Sequence, residues 1–473
     1  MLALIIPPNV DKLGFSKNIF FSTRASLGTC YVASYMRENG VKDFKLLDTV
    51  GHDMSMEQIY RKLDQMKPDI VGIGTMTQFI RTSNAIAKYA KENLGAKVVM
   101  GGVHPTLCTD EVIGKEYVDF VVRNEGEETF TEFMQGKDIG KISGLSYKKG
   151  GKIIHNPARL PVQNLDTLPM PARDLLPMEK YIDDVGGNYK GTNMITSRGC
   201  PFGCIYCASS AFWGRRIRFH SAQRVLDEME HLKRTYHVSG IRFDDDHAVF
   251  DNKRMLDICS GMEDRNLNVK WSCLSRTDSV NQELLDRMAQ SGCVSIDYGV
   301  ESGSPRILEI LKKGVKLEQV ERAVSMTSKA GMESLLYFMV GHPTETKEDA
   351  WMTYQFAKKL TSKYKARAFF FITVVYPGTE LYEIAKKRIG LKVEDWSEYV
   401  NPYYEDRGPI YPFIPVYTET FTVKELIEMH ERFTSVNVRN MKWLIKQGLK
   451  ARNPRAIKKG LMILRQTVRE KKL

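Results

Sequence analysis

Several absences bound this 473-residue chain before any motif is considered. No run of eighteen apolar residues occurs, so a membrane-spanning helix is not expected. The opening MLALIIPPNV has no basic residue ahead of its apolar stretch and is cut by Pro7 and Pro8, which argues against a secretory signal and for a cytoplasmic protein. Cysteine is sparse, eight residues with three of them clustered, a usage that fits a reducing compartment and not a secreted disulfide framework. Tandem repeats and low-complexity tracts are missing. Excess charge is also missing from most of the chain: residues 1–438 carry 57 basic and 56 acidic side chains, whereas Arg439 to Leu473 carries twelve basic ones against Glu470 and so supplies +11 of the net +12. Such a tail reads as a solvated face or as a contact with an anionic surface.

The clustered cysteines, Cys200, Cys204 and Cys207 in SRGCPFGCIYCA, are the most specific signal. Three thiolates on a short loop suit an iron-sulfur cluster with one iron left open. Structural zinc would want paired C-x-x-C units and four ligands, and no second pair exists. Cys30, Cys108, Cys259, Cys273 and Cys293 stand in apolar or strand-like contexts and read as small buried hydrophobes.

Residues 1–135 alternate short apolar strands with helical patterns: LALII, FKLLD, DIVGIG, KVVMGG and VDFVV, with helices at 27–38, 55–66, 79–93 and 127–134 and a short one after Gly102. Five such units predict a doubly wound parallel sheet, with ligands beyond the carboxyl ends of its strands. A hairpin is expected in GLSYKKGGKIIHNP, and five prolines from Pro157 to Pro177 predict a linker without regular structure. A second series follows: TNMITS (192–197), IRFDD (241–245), VKWSC (269–273), VSIDYGV (294–300), ESLLYFMV (333–340) and RAFFFITVV (367–375). Six successive beta-alpha units predict a partial (β/α)6 barrel of the TIM type, its chemistry at the carboxyl ends of the strands. The cysteine loop follows the first of these. The stretch NPYYEDRGPIYPFIPVY carries no readable function, and the basic end, with Lys442, Lys446 and Lys450 four apart, predicts a small helical region whose polar face meets either solvent or a membrane surface.

At these motifs the sequence resembles the cobalamin-binding radical SAM family over about residues 1–380. The resemblance divides the chain into a flavodoxin-like cobalamin-binding domain (1–140), a hairpin and proline-rich linker (141–185), a radical SAM barrel (186–380) and a C-terminal region (381–473). It implies a 4Fe-4S cluster held by Cys200, Cys204 and Cys207, with Tyr206 as the family's aromatic residue beside the third cysteine, and S-adenosyl-L-methionine on the open iron, cleaved by electrons from a flavodoxin- or ferredoxin-type donor to methionine and a 5'-deoxyadenosyl radical. Glu301 in GVESGS matches the acidic contact to the ribose, and Asp245 in DDDH stands where many members bind the methionine amino group. Arg276 in SRTD is a candidate carboxylate contact, and Gly341 in GHP matches the loop lining the adenine pocket. In the first domain, Gly101 and Gly102 would let the cobalamin tail pass close to the backbone, with Thr75 and Thr77 offering hydroxyls.

The D-x-H-x-x-G motif is absent, so the lower cobalt face is expected without histidine; His52 and His104 read as surface residues. Methylation of an unactivated carbon is the leading implication, and a non-methylating oxidation or ring closure, as in the anaerobic cyclase of magnesium-protoporphyrin ester, is the alternative. Methylthio transfer to RNA is disfavoured, because the N-terminal domain holds only Cys30 and Cys108 where those enzymes hold three cluster ligands. A lone corrinoid carrier or electron-transfer protein explains one domain each and not both. A small-molecule or lipid-like substrate is expected, and no nucleic acid.

Overall fold

The computed structural model describes residues 1–7, 24–184, 189–398, 417 and 419–434. The basic tail from Arg439 and nearly all of the NPYYEDRGPIYPFIPVY stretch lie outside them.

The first sheet contains β1 (Leu2–Ile6), β2 (Phe44–Asp48), β3 (Ile70–Gly74), β4 (Lys97–Gly101) and β5 (Phe120–Val122). All pair in parallel in the order β2-β1-β3-β4-β5, the doubly wound arrangement the alternation predicted. Helices Leu27–Glu38, Met56–Met66, Ile80–Leu94 and Gly126–Met134 return the chain between strands. Period-two alternation feeds two cores: Ala3 and Ile5 of β1 enter the core with Val71, Val98 and Met100, and Leu2 and Leu4 enter the opposite one with Ala33, Met36 and Phe130. Ser55 and Gln58 close a reciprocal capping box at the second helix.

The hairpin, β6 (Leu145–Lys149) and β7 (Lys152–His155), is joined antiparallel to β5 and extends this first sheet to seven strands. The linker has no strand or α-helix, only the short 3-10 turns Leu165–Thr167, Arg173–Leu175 and Met178–Lys180, and its later part is fastened to both sheets' domains. Tyr181 donates its hydroxyl to Asp48 of β2 at 2.6 Å, and Arg173 forms a fully buried ion pair with Glu228 at 2.7 Å.

The second sheet starts with β8 (Asp183–Asp184) and β9 (Lys190–Met194); a separate two-stranded ribbon of β10 (Ser197–Arg198) and β11 (Arg218–Phe219) comes next. The sheet then resumes with β12 (Gly240–Phe243), β13 (Lys270–Ser275), β14 (Cys293–Glu301), β15 (Glu333–Val340) and β16 (Ala366–Ile372). From β9 to β16 six strands lie parallel in chain order without closing, a partial barrel. Helices Ala222–Tyr236, Asn252–Asp264, Gln282–Gln290, Leu317–Lys329 and Lys347–Lys363 cover it, started by side-chain caps at Ser221, Asp251, Asn281 and Thr346. Helix Val423–Thr434 adds Leu426 and Phe433 to the barrel core.

Candidate functional site

The carboxyl ends of the two sheets meet around the cysteine loop. β10 leads into it, and β11 brings the chain back. Gly199 stands at φ +92°, and a Cβ there would lie 2.1 Å from the Arg216 carbonyl oxygen, so only glycine passes this turn. Ile205 anchors the middle of the loop. Its N–H donates to Leu311 O at 3.2 Å and its carbonyl accepts from Leu381 N at 2.8 Å, with the side chain buried among Ile307, Leu311 and Val375.

Cys200, Cys204 and Cys207 are partly buried and free of disulfides. Burial pushes the Cys207 thiol up to about 12, and its neighbours Asp246, Cys204 and Cys200 add to that; burial raises Cys200 as well. Burial disfavours the thiolate at Cys200 and Cys207, and a coordinated metal reverses that balance by deprotonating the thiols it binds. The donor set therefore fits a thiolate-ligated cluster.

Beside the loop lies a buried polar set. Glu301 ends β14 at φ +69°, a left-handed backbone unusual for a glutamate. Its Oε1 accepts from Lys313 Nζ at 2.8 Å, and both side chains are under 10 % exposed. Lys313 also reaches the Tyr206 hydroxyl at 3.4 Å. Burial opposes the charge of Lys313, but Glu301 and Cys204 hold its ammonium above the ordinary lysine value. Burial, then Glu301, drives the Tyr206 hydroxyl well above its usual value, so it stays protonated. Arg276 lies over the Phe202 ring at 3.7 Å. Its Nε and Nη2 hold Asp278, and Nη2 also donates to Lys313 O at 2.7 Å, leaving Nη1 without a hydrogen bond among the described residues. Lys313 was not foreseen. Nothing in KKGV marks it, and it meets Tyr206 across 107 residues of sequence.

Other expected residues take different parts. Asp245 is buried and spent on structure: it accepts from Thr196 N at 2.6 Å, Thr196 Oγ1 at 2.5 Å and Ser197 Oγ at 2.8 Å, fixing the turn into β10. Its neighbour Asp246 faces the loop, where Cys200 and Cys207 feel its charge and Ser209 donates to it at 2.7 Å. Gly341, at φ +90°, donates to Glu345 Oε2 at 2.6 Å, and the direction its Cβ would take is filled by Leu426 at 3.0 Å; it packs against the C-terminal helix there.

In the first domain the hydroxyls of Thr75 and Thr77 do not project freely. Ser83 donates to Thr75 Oγ1 at 2.8 Å, and Thr77 Oγ1 meets His104 Nδ1 at 3.1 Å. Gly101 ends β4. Gly102, at φ +98°, is required because a Cβ would stand 2.6 Å from Thr75 O; the close approach it permits is to β3's own exit. His104 is not on the surface but fully buried, and Cys108 is only half-buried.

An ion cluster joins the two halves. Arg198, two residues before Cys200, donates Nη1 to Glu125 at 2.6 Å and Nη2 to Glu127 at 2.7 Å, and Arg218 donates to the other oxygen of Glu125 at 2.8 Å. Glu125 precedes and Glu127 opens the helix Gly126–Met134 that follows β5, and the guanidinium lies 5.0 Å over Tyr31.

The site thus joins two α/β units, one of which bears the three-thiol loop. The chain belongs to the cobalamin-binding radical SAM family. Residues 194–357 match the Radical SAM superfamily and residues 23–134 the B12 binding domain, so its cofactors are a 4Fe-4S cluster, S-adenosyl-L-methionine and cobalamin, used with a reductant and a small-molecule substrate. The chain is 38% identical over 405 residues to an uncharacterized methyltransferase of Pyrococcus horikoshii, covering 84% of this chain and 86% of that one. It is 28% identical over 400 residues to the anaerobic magnesium-protoporphyrin IX monomethyl ester cyclase of Rubrivivax gelatinosus, covering 80% and 70%. Its fold matches the cobalamin-dependent S-adenosylmethionine radical enzyme OxsB with a TM-score of 0.72 at 18% identity, over 99% of this chain and 71% of that one.

Proposed function

We propose that this chain is a methyltransferase that places a methyl group on an unactivated carbon of a small molecule. The supporting observation is the position of the cysteine loop, held between the barrel mouth and the carboxyl edge of the cobalamin-type sheet by Arg198, Glu125 and Glu127. When bound, the cofactors supply a 5'-deoxyadenosyl radical and a transferable methyl group.

The chain's own residues bind and orient. Cys200, Cys204 and Cys207 hold the cluster. The Glu301 carboxylate, fixed by Lys313, is a ready acceptor for ribose hydroxyls, and Tyr206 keeps its proton as a donor beside it. Arg276 has Nη1 left for a carboxylate, and the aromatic Phe202 beneath it limits its rotation. Asp246, in place of Asp245, is the acid available to an ammonium group. A flavodoxin- or ferredoxin-type protein delivers the electrons. In the first domain the backbone at Gly101 and Gly102 is the surface offered to the cobalamin tail, since Thr75 and Thr77 are engaged internally.

The test is product analysis of anaerobically reconstituted enzyme supplied with extract of its own cells. S-adenosylhomocysteine formed together with 5'-deoxyadenosine supports methylation; 5'-deoxyadenosine alone rejects it in favour of the cyclase-like oxidation that the Rubrivivax relative keeps in view. Cys200→Ala is expected to abolish cleavage of S-adenosylmethionine while cobalamin stays bound, and retained cleavage rejects the cluster assignment.

A further inference from the structure

The segment after β4 forms two short helices, Val103–Leu107 and Thr109–Gly114, that meet at Cys108, and it carries three donors of different chemistry, His104, Cys108 and Glu111. In the structure their ligating atoms all lie within 4.8 Å of one another. His104 has no exposed surface. Its Nδ1 meets Thr77 Oγ1 at 3.1 Å, while Nε2 is buried with no partner. A histidine whose Nδ1–H is held by a hydroxyl presents an Nε2 lone pair, the arrangement found where a neighbouring group orients a metal ligand. An orphaned ring nitrogen at a fully buried position is costly unless something occupies it.

The surroundings select the occupant. Glu111 Oε1 accepts from Trp396 N at 3.1 Å, and the Trp396 ring stands edge-on to His104 at 6.3 Å, closing the site from above. Asp395 lies beside Glu111, paired to Lys115 at 2.6 Å. Burial acts against every charged form here: it pulls His104 down to about 3, and pushes Glu111 up to about 7 and Cys108 up to about 12. These are desolvated donors, and the nearby cation, Lys115, is already paired with Asp395.

We propose that His104, Cys108 and Glu111 form a binding site for a zinc-class divalent cation, with ligands distinct from the three cluster cysteines. One imidazole, one thiolate and one carboxylate make a borderline-soft set that suits Zn²⁺ and excludes the all-oxygen preference of Mg²⁺ or Ca²⁺. The fourth position is left to water or to Asp395. On binding, Cys108 forms its metal bond as the thiolate and releases its proton to solvent, with no change of oxidation state. The cation would staple residues 103–114 to the 395–397 turn, bracing the backbone at Gly102 from behind.

The test uses holoenzyme loaded with cluster and cobalamin, so that Cys200, Cys204 and Cys207 are occupied, and Zn²⁺ alone as the probe. Expected are one zinc per chain surviving gel filtration and an X-ray absorption spectrum with one sulfur at about 2.3 Å and nitrogen or oxygen at about 2.0–2.1 Å. Cys108→Ser and His104→Gln should each lower zinc occupancy at least tenfold while iron and cobalamin contents hold, the latter serving as the check on folding. Absence of zinc, a sulfur-free spectrum, or zinc retained by both variants overturns the site. Should both variants fail to fold, the wild-type stoichiometry and spectrum decide alone, and neither depends on which reaction the enzyme catalyses.

Discussion

Replacing Arg198 by methionine tests the coupling between the two domains. The side chain is 6% exposed and serves two carboxylates. Its loss is not symmetric: Glu125 keeps Arg218 at 2.8 Å, whereas Glu127, itself 4% exposed, has no other cation among the described residues. Removing one member of a buried pair costs about 3–5 kcal/mol, because the remaining charge is stranded. Keeping a glutamate protonated at pH 7 instead costs about 1.4 kcal/mol per unit above its ordinary ~4.3, roughly 4 kcal/mol. The two routes agree, and the lower end is expected because Arg218 remains. With a urea slope of about 3 kcal/mol per M, Arg198→Met should lower the midpoint of the first unfolding transition by about 1 M. The pH dependence carries a second signature. Burial raises Glu125, but Arg198 and Arg218 outweigh it and hold the carboxyl below its usual value. That stability is present above the ordinary carboxylate range and is lost as pH falls through it, so wild type weakens in acid. The variant should instead narrow its deficit in acid, where a stranded carboxylate is neutralised. Adding Glu127→Gln to Arg198→Met should recover most of the loss, and Glu125→Gln little. A single variant within 1 kcal/mol of wild type, or no rescue by Glu127→Gln, would refute the reasoning.

Lys313→Met strands Glu301 and should weaken S-adenosylmethionine binding more than tenfold by equilibrium dialysis, with Lys313→Arg recovering part. Because Lys313 is held above its ordinary value, its contribution is complete below about pH 10 and is lost only above that, so wild-type affinity should show no inflection from this group between pH 6 and 9. Glu345 is buried, accepts from Gly341 N and His342 N, and is pushed up to about 7 by burial. A carboxyl raised in the folded state loses stability as pH rises from about 4.5 to 7, by at most about 3 kcal/mol, and thermal melts of Glu345→Gln should lack this slope. Anionic liposomes should co-sediment full-length protein and release a chain ending before Arg439; equal partitioning of the two removes the membrane role of the basic tail.

The fold was legible because both sheets announce themselves through apolar segments five to nine residues long separated by helical periods, and because glycine and proline mark their exits. The cysteine loop was legible because ligand spacing is a local property. What escaped depends on long-range register. Asp245 and Asp246 are adjacent in sequence, and alternate residues leaving a strand point opposite ways, so only the structure shows that the first is consumed by Thr196 and Ser197 and the second faces the thiols. Thr75 and Thr77 looked like free hydroxyls because Ser83 and His104, their partners, come from later elements. The Arg198–Glu127 pair and the Lys313–Tyr206 contact span 71 and 107 residues, invisible to any short motif. His104 was misread as exposed because the Trp396 that covers it lies nearly 300 residues on.

These long-range contacts make the domain interface and the reaction centre one structural unit. The loop that carries the cysteines is held at its entry by Arg198 against the first domain and at its middle by Ile205 against Leu311 and against Leu381 of the helix Glu380–Arg388. Asp245 stiffens the turn between β9 and β10, so a displacement of Glu125 or Glu127 is passed through Arg198 to Cys200, two residues away, and cannot be absorbed by a flexible hinge. Lys313 joins the same unit from the other side, since its carbonyl fixes Arg276 and its ammonium fixes Glu301. Substitutions in the turn after β5, which touch neither cysteine nor barrel strand, should therefore alter how radical formation is matched to transfer, and their effect should appear as a changed ratio of 5'-deoxyadenosine to methylated product more than as a lost cofactor.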